Sequence, residues 1–197
     1  MTSFIKLSTD FSVSWNLDDM TSKISNDIID PNNNRSPYYH PSGIVHWQHY
    51  NTVNISFARN FYKTFSKECH EVTNKLMEIQ QKYLKISTDN ELMLTFINHN
   101  IVPSRVNIIR TMGGINVGVH CDSTRNSCIN IGLKNSNTFR TRISDNQDIN
   151  NFYNNSTETY TMNDGDVYLI NIKNSHCVEA LTSIAEPRYI ITYNLIL

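Results

Sequence analysis

The sequence lacks an excess of either charge, because 17 lysine and arginine residues nearly balance 18 aspartate and glutamate residues over 197 positions. No strong field therefore indicates a nucleic acid or a membrane surface as a partner. The sequence also lacks a stretch near the ~20 apolar residues that a transmembrane helix needs. Its first residues show no basic segment followed by an apolar one, as a signal peptide would. These absences predict a soluble, cytoplasmic protein that binds neither nucleic acid nor membrane.

The four cysteines lack the spacing of a zinc ribbon or of a thioredoxin-type site, since no two of them form a CxxC pair. A chain of this size without an export signal is expected to keep its thiols reduced. Disulfide bonds are therefore not expected to stabilise the fold.

Three segments with different patterns follow one another along the chain. Residues 1–58 form a mixed N-terminal extension, in which short alternating pieces surround a loop rich in Asn and Pro. Residues 59–86 contain neither Gly nor Pro, and their apolar positions recur at steps of three and four. This spacing predicts an amphipathic supporting helix with one buried face. Together with a core over residues 104–197, these segments are predicted to form a single domain.

From about residue 104 the hydrophobic period changes to two, which is typical of strands. Turn signals such as Gly113–Gly114, Asn163–Asp164–Gly165 and Glu186–Pro187 separate the alternating pieces. The pattern predicts a mostly β domain with flanking helices: a double-stranded β-helix, or jelly roll, with the long helix on the outer face of one sheet. The predicted strands are SRVNIIRTM, INVGVHCD, NSCINIGL, TFRTRIS, TETYTM, DVYLINI, SHCVEAL and RYIITYNLIL.

The piece INVGVHCD has one apolar and one polar face if it alternates strictly. The apolar face then holds Ile115, Val117, Val119 and Cys121, and the polar face holds Asn116, Gly118, His120 and Asp122. His120 and Asp122 leave such a strand on the same side, so both can bind one ion.

A third ligand is expected from the piece SHCVEAL, where His176 shares a face with Val178 and Ala180. Two imidazoles and one carboxylate are the ligand set of non-haem Fe(II) oxygenases, which leave positions open for a cosubstrate and O₂. His120, Asp122 and His176 are therefore the predicted metal ligands.

Arg188 begins the last predicted strand, directly after the turn at Pro187. We expect this strand to run beside the His176 strand and to direct Arg188 into the barrel below the metal. A buried guanidinium without an anion is costly. Arg188 is therefore predicted to bind a carboxylate, which it can hold through two hydrogen bonds.

The pattern IIRTMGGINVGVHCDSTRNSCINIGL, followed by GDVYLINIKNSHCVEALTSIAEPRYIITY, resembles the Fe(II)/2-oxoglutarate-dependent oxygenases. The resemblance covers about residues 104–197 and is nearest to the prolyl-hydroxylase and aspartyl/asparaginyl-hydroxylase branches. It implies that His120, Asp122 and His176 bind Fe(II), and that Arg188 binds the distal carboxylate of 2-oxoglutarate.

The resemblance implies further contacts around this centre. Asn130 and Arg110 are candidates for binding 2-oxoglutarate, and Arg125 is a candidate for binding the substrate. Some relatives add a tyrosine at the distal carboxylate, near the position where this chain has Gly132. The implied activity is hydroxylation of a C–H bond with consumption of O₂ and release of succinate and CO₂. A peptide or protein side chain ranks first as substrate, before a free amino acid or a small metabolite.

Two other functions remain open from the sequence. A cupin-like metalloenzyme that does not use 2-oxoglutarate would leave Arg188 without a role, and cupins typically place more histidines at the metal. A non-enzymatic jelly-roll binding module would bind no metal. Several other polar residues are predicted to have structural roles: Cys121 and Cys177 as core residues, Cys128 as a pocket wall, Arg140 and Arg142 on a solvated face, and His46 and His49 in loop or edge packing.

Overall fold

The computed structural model describes the chain on both sides of a long segment that follows residue 20. The described residues are 2–20, 62, 65–111, 114, 116–122, 126–182 and 186–195. The predictions for His46, His49 and Arg125 lie outside them.

Helix α1 spans Ser66–Tyr83 and helix α2 spans Glu91–Ile97, and both precede the main block of strands. Helix α1 lies inside the segment predicted as helical, and its residues Cys69, Val72, Leu76 and Ile79 are buried along one face. None of the helices in the described part of the chain is long and apolar enough to cross a bilayer. Three short 3₁₀ helices occupy Pro103–Arg105, Ser136–Thr138 and Phe152–Asn154.

Two antiparallel sheets contain the nine strands of the described residues. The five-stranded major sheet has the order β1-β7-β4-β9-β2, and the four-stranded minor sheet has the order β3-β8-β5-β6. This alternation of strands between two facing sheets is the predicted double-stranded β-helix, and all eight strands predicted after residue 104 are present. The strands are β1 Phe4–Ser8, β2 Val106–Thr111, β3 Val117–His120, β4 Ser127–Lys134, β5 Phe139–Ser144, β6 Thr157–Thr161, β7 Val167–Asn171, β8 His176–Ala180 and β9 Arg188–Leu195.

The predicted pairing of the last strand is wrong. Strand β9 pairs with β2 and β4 in the major sheet, whereas the His176 strand β8 belongs to the minor sheet. The connection between β8 and β9 therefore crosses from one sheet to the other. His176 and Arg188 approach the barrel interior from opposite sheets.

The core has two layers, one on each side of the major sheet. On its outer face, Ile129, Leu169 and Ile191 pack with the buried face of α1, as predicted for the supporting helix. On its inner face, residues such as Ile170 and Ile190 pack with Ile143 and Tyr160 of the minor sheet. Each large apolar side chain removed from water contributes roughly 1.5–3 kcal/mol, so both layers fix the positions of the strands around the interior.

Gly132 of β4 lies in close contact with the turn before β7. A Cβ atom at this position would lie 2.7 Å from the Ser136 hydroxyl oxygen and closer still to the Asn163 carbonyl oxygen. The turn is fixed here, because Gly132 N–H donates to the Asp166 carbonyl and its own carbonyl accepts from Gly165 N–H, both at 2.9 Å. No side chain fits at position 132, so this position cannot supply the tyrosine that some relatives have there.

Replacement of Gly132 by alanine is expected to lower the free energy of unfolding by about 2–3 kcal/mol, because overpacking displaces a fixed backbone. Urea denaturation measures the loss. Gly118→Ala is the matched control, since no atom lies within 4 Å of a Cβ built there. Equal midpoints for the two variants would contradict the close packing at Gly132.

Candidate active site

His120, Asp122 and His176 converge at one end of the barrel. His120 ends β3, Asp122 follows two residues later, and His176 begins β8. One ligand atom from each of the three residues lies within 4.8 Å of the other two. The His176 Nε2 and Asp122 Oδ2 atoms are 3.8 Å apart, and the two imidazole centroids are 4.2 Å apart. The residues predicted as metal ligands therefore lie together in space.

Both imidazole rings are oriented by the backbone in the same way. The Nδ1 atom of His120 lies 2.8 Å from the Gly118 carbonyl oxygen, and that of His176 lies 2.9 Å from the Asn174 carbonyl oxygen. A carbonyl oxygen can only accept, so each Nδ1 must carry the proton. Each Nε2 then keeps its lone pair for a metal, which is the arrangement that second-shell partners impose on ligating histidines.

An irregularity of strand register places the two histidines opposite one another. Val117 pairs with Val178 and His120 pairs with His176, so the register advances by three residues on β3 and by two on β8. In a regular ladder Val119 would oppose His176, and His120 would point to the other face of the sheet. Strict alternation, which put Val117 and His120 on opposite faces, is therefore wrong here. Bulges of this kind re-aim side chains next to active sites.

Backbone hydrogen bonds attach the ligand-bearing segments to their surroundings. Asp122 N–H donates to the Ile172 carbonyl at 3.2 Å, which ties the end of the minor sheet to the end of β7. Ser144 N–H donates to the Ser175 carbonyl, and Ser175 N–H donates to the Asn146 carbonyl, each at 2.8 Å. His176 therefore follows Ser175, whose N–H and carbonyl groups are both hydrogen-bonded.

The donor set fits a divalent transition-metal ion. Imidazole nitrogen and carboxylate oxygen bind such ions at about 2.0–2.2 Å, so two ligands of one ion lie at most about 4.4 Å apart. The separation of 3.8 Å between the His176 and Asp122 atoms falls within this limit. All three ligand atoms lie within 4.8 Å of one another, so a small side-chain adjustment brings the set to bonding distances. His176 is buried while His120 and Asp122 are half-buried, which leaves one side of the site open to solvent.

Arg188 lies in the barrel interior without an anionic partner among the described residues. Its side chain is 5% exposed, its Nε has no hydrogen-bond partner in the described part of the structure, and its Cζ lies 5.2 Å from the centroid of the Phe139 ring. Burial lowers the pKa of Arg188 to about 10, an effect that the neighbouring Tyr160 partly opposes. The guanidinium is still charged at neutral pH and has lost much of its hydration.

The two acidic residues nearest to Arg188 in the sequence bind other groups. Glu179 pairs with Arg140 at 2.6 Å and with Arg142 at 3.3 Å on the outer face of the minor sheet. Glu186 accepts a hydrogen bond from the Asn135 side chain at 3.2 Å. Arg188 therefore forms no ion pair with either of these acids.

Tyr160 of β6 is a pocket residue that the sequence did not identify. Its hydroxyl group is buried and has no hydrogen-bond partner among the described residues. Burial raises the pKa of Tyr160, and the nearby Thr141, Arg188 and Asn130 side chains offset part of that rise. The sequence contains an indication of this position, because Tyr160 is the single aromatic residue in the otherwise polar strand TETYT.

The remaining predicted residues have different positions. Asn130 is half-buried beside Cys128, whose thiol lies 3.6 Å from its amide oxygen, and Cys128 packs in the interior layer. Arg110 lies in β2 opposite Tyr189 in the register. Cys177 is buried opposite Arg142, on the face of β8 away from His176.

No protein-family model and no curated protein matches this sequence. Among solved structures, an oxidoreductase of the 2OG-Fe(II) oxygenase family from Burkholderia pseudomallei is 17% identical, with a TM-score of 0.35 over 45% of this chain and 40% of that chain. An oxalate oxidase in complex with glycolate is 13% identical, with a TM-score of 0.36 over 46% of this chain and 41% of that chain.

An oxalate decarboxylase is 14% identical, with a TM-score of 0.36 over 46% of this chain and 21% of that chain. The matched part is thus less than half of each of these three structures. At such low similarity the likeness identifies no activity.

Proposed function

We propose that this chain is an Fe(II)- and 2-oxoglutarate-dependent oxygenase that hydroxylates a C–H bond and releases succinate and CO₂. One observation carries the proposal: a His–Asp–His cluster and a buried guanidinium without an anionic partner among the described residues face the same interior layer, His176 beside Ile143 and Arg188 on the face of Ile190. 2-Oxoglutarate offers matching groups, because its keto acid end chelates a metal and its distal carboxylate pairs with a cation.

His120, Asp122 and His176 would hold the iron, which supplies O₂ activation when bound. The two imidazoles bind as neutral ligands and Asp122 as an anion, so the protein neutralises only half of a divalent charge. The positive charge that remains favours a chelating anion on the open side. The backbone carbonyls of Gly118 and Asn174 keep each Nδ1 protonated, and so keep each Nε2 directed at the ion.

Arg188 and Tyr160 would bind the distal carboxylate at the other end of the interior. A carboxylate restores the interactions that the buried guanidinium lost with water, and it can accept two parallel hydrogen bonds from it. The Tyr160 hydroxyl can donate to the same carboxylate, because its oxygen has no hydrogen-bond partner among the described residues. Ile143 and Ile190, both buried in the interior layer, exclude water between the two ends.

A peptide or protein side chain, or a free amino acid, is the substrate class that we propose. The half-buried His120 and Asp122 support this, since the metal position is accessible from solvent on their side. Arg125 follows Asp122 closely in the sequence and is proposed as a substrate contact.

The experiment that tests the proposal is an anaerobic titration of the Fe(II)-loaded protein with 2-oxoglutarate. A weak visible charge-transfer band is expected to grow until the site is saturated, and addition of O₂ should then yield succinate. A protein that binds one metal but gives neither band nor succinate would favour the cupin-like metalloenzyme. A protein that binds no metal would favour the jelly-roll binding module.

Tyr160→Phe is expected to raise the dissociation constant for 2-oxoglutarate about tenfold, because one hydrogen bond to a charged group contributes about 1.5 kcal/mol. Titration of the charge-transfer band with 2-oxoglutarate measures this dissociation constant. Tyr168→Phe is the matched control. The Tyr168 ring stacks on that of Tyr160, with centroids 4.4 Å apart, but the charged group beside it is Lys6, whose amine lies 5.5 Å from the Tyr168 ring centroid. The control should change the dissociation constant less than twofold. An equal effect of both variants would exclude a specific role for the Tyr160 hydroxyl.

A further inference from the structure

The N-terminal strand closes the seam between the two sheets on the side of Tyr160. Strand β1 is the edge of the major sheet next to β7, and β6 is the edge of the minor sheet. Ser3 connects these two edges, because its N–H donates to the Glu158 carboxylate of β6 at 2.9 Å and its carbonyl accepts from Asn171 N–H of β7 at 2.9 Å.

Phe4 lies on the inner face of this edge strand. Its register partner is Ile170, which belongs to the interior layer, whereas the next residue, Ile5, pairs with Leu169 of the layer beneath the helices. The centroid of the Phe4 ring lies 4.6 Å from that of Tyr160. It also lies 5.9 Å from the centroid of Tyr168, whose ring stacks on Tyr160. The Tyr160 ring is thus in contact with aromatic side chains from two other strands.

An ion pair attaches the same strand to the barrel near this cluster. The Lys6 amine lies 2.8 Å from the Asp166 carboxylate and 5.5 Å from the centroid of the Tyr168 ring. With the Ser3 hydrogen bonds, this pair anchors β1 on both sides of Phe4. The position of Phe4 is therefore fixed by polar contacts at neighbouring residues.

We propose that β1 contributes to the site at which Arg188 and Tyr160 bind the distal carboxylate of 2-oxoglutarate. Phe4 packs against the Tyr160 ring and so keeps the Tyr160 hydroxyl beside Arg188. Phe4 is a positioning residue, and its effect on the bound carboxylate passes through Tyr160. This inference rests on the proposed function of the site. It extends the cosubstrate pocket to the first residues of the chain, well outside the segment that carries the metal ligands.

One physical effect connects Phe4 to anion binding. Aromatic rings at these distances attract one another beyond the area they bury, so Phe4 restricts the rotamers available to Tyr160. Without Phe4, the Tyr160 ring would adopt orientations in which its hydroxyl no longer reaches a carboxylate bound to Arg188.

The test compares Phe4→Ala with Ile5→Ala in the anaerobic Fe(II) and 2-oxoglutarate titration. Both variants remove a half-buried apolar side chain from the same strand, but from opposite faces. Phe4→Ala is expected to raise the dissociation constant for 2-oxoglutarate about five- to tenfold, and Ile5→Ala less than twofold. The affinity for Fe(II) without 2-oxoglutarate should stay unchanged in both, and Phe4→Tyr should restore binding.

A double-mutant cycle separates positioning from general destabilisation. If Phe4 acts through Tyr160, Phe4→Ala adds little in the Tyr160→Phe background, so the two effects are not additive. Independent, additive losses would overturn the inference, as would equal losses for Phe4→Ala and Ile5→Ala, and both results would leave the proposed function intact. A wild-type protein that forms no chelate with 2-oxoglutarate would instead remove the proposed function, and the inference with it.

Discussion

Replacement of Arg188 by methionine is expected to abolish 2-oxoglutarate binding and, at the same time, to make the ligand-free protein more stable. The guanidinium is buried, and no described carboxylate pairs with it. Exchange of buried charges for apolar groups of similar volume is often stabilising by roughly 1–4 kcal/mol. We expect an increase of about 1–3 kcal/mol in the free energy of unfolding, and a rise in the dissociation constant of at least about 100-fold.

The sign of this effect follows from the shifted pKa of Arg188. Burial lowers that pKa to about 10, below its ordinary value, so the folded state binds this proton more weakly than the unfolded state does. The free-energy cost of burying the charged guanidinium is therefore fully present at pH 7 and decreases only as the pH rises above about 10. A carboxylate bound to the guanidinium removes the penalty at neutral pH.

Urea denaturation at pH 7, with and without 2-oxoglutarate, measures both halves of this prediction. The ligand should raise the midpoint of the wild type and leave that of Arg188→Met unchanged. Arg140→Met is the matched control, because Arg140 pairs with Glu179 at 2.6 Å and its loss should be neutral or destabilising. A less stable Arg188→Met protein would mean that the guanidinium has a structural partner.

His176→Ala is expected to weaken Fe(II) binding by at least about 100-fold and to eliminate succinate production. Loss of a second-shell partner alone typically reduces metal affinity 10–100-fold, and loss of a ligand should exceed that range. Anaerobic competition with a chelating dye measures the affinity. His70→Ala is the control, since His70 is exposed on α1 and contacts the Tyr62 hydroxyl at 3.2 Å. Retention of affinity within about threefold in His176→Ala would refute the assigned ligand set.

The two variants are expected to affect metal binding and carboxylate binding differently. Arg188→Met keeps the three metal ligands and should bind Fe(II) normally, whereas His176→Ala should lose the metal and the chelate together. This difference is expected only if the cation and anion sites are built from different sheets, as β8 and β9 are.

Much of the fold was predictable because its signals are local. Alternation with a period of two, interrupted by Gly, Asn and Pro turns, located all eight strands after residue 104. The three- and four-residue spacing of Cys69, Val72, Leu76 and Ile79 identified the buried face of α1. The cluster of His120, Asp122 and His176 was predictable because two of these residues lie two positions apart and the third begins a later strand.

The features that the sequence did not predict depend on contacts between distant residues. Alternation cannot tell which sheet receives a strand, so β9 was paired with the wrong neighbour. Tyr160 is separated from Arg188 along the chain and reaches it only because β6 and β9 face each other across the interior. The contact of Phe4 with Tyr160, on which its proposed role rests, joins an edge strand to β6 across more than 150 residues, and Ser3 and Glu158 beside it are separated by 155 positions.

The irregular register between β3 and β8 makes the number of residues in β3 a determinant of the His–Asp–His cluster. The position of His120 opposite His176 depends on two residues, Gly118 and Val119, between Val117 and His120. The identity of Gly118 can change, since there is open space around it. The number of residues cannot change, because one insertion or deletion would turn His120 away from His176 while both hydrophobic layers remained. Homologues of this chain should therefore tolerate substitution at Gly118 far better than a change in the length of this strand.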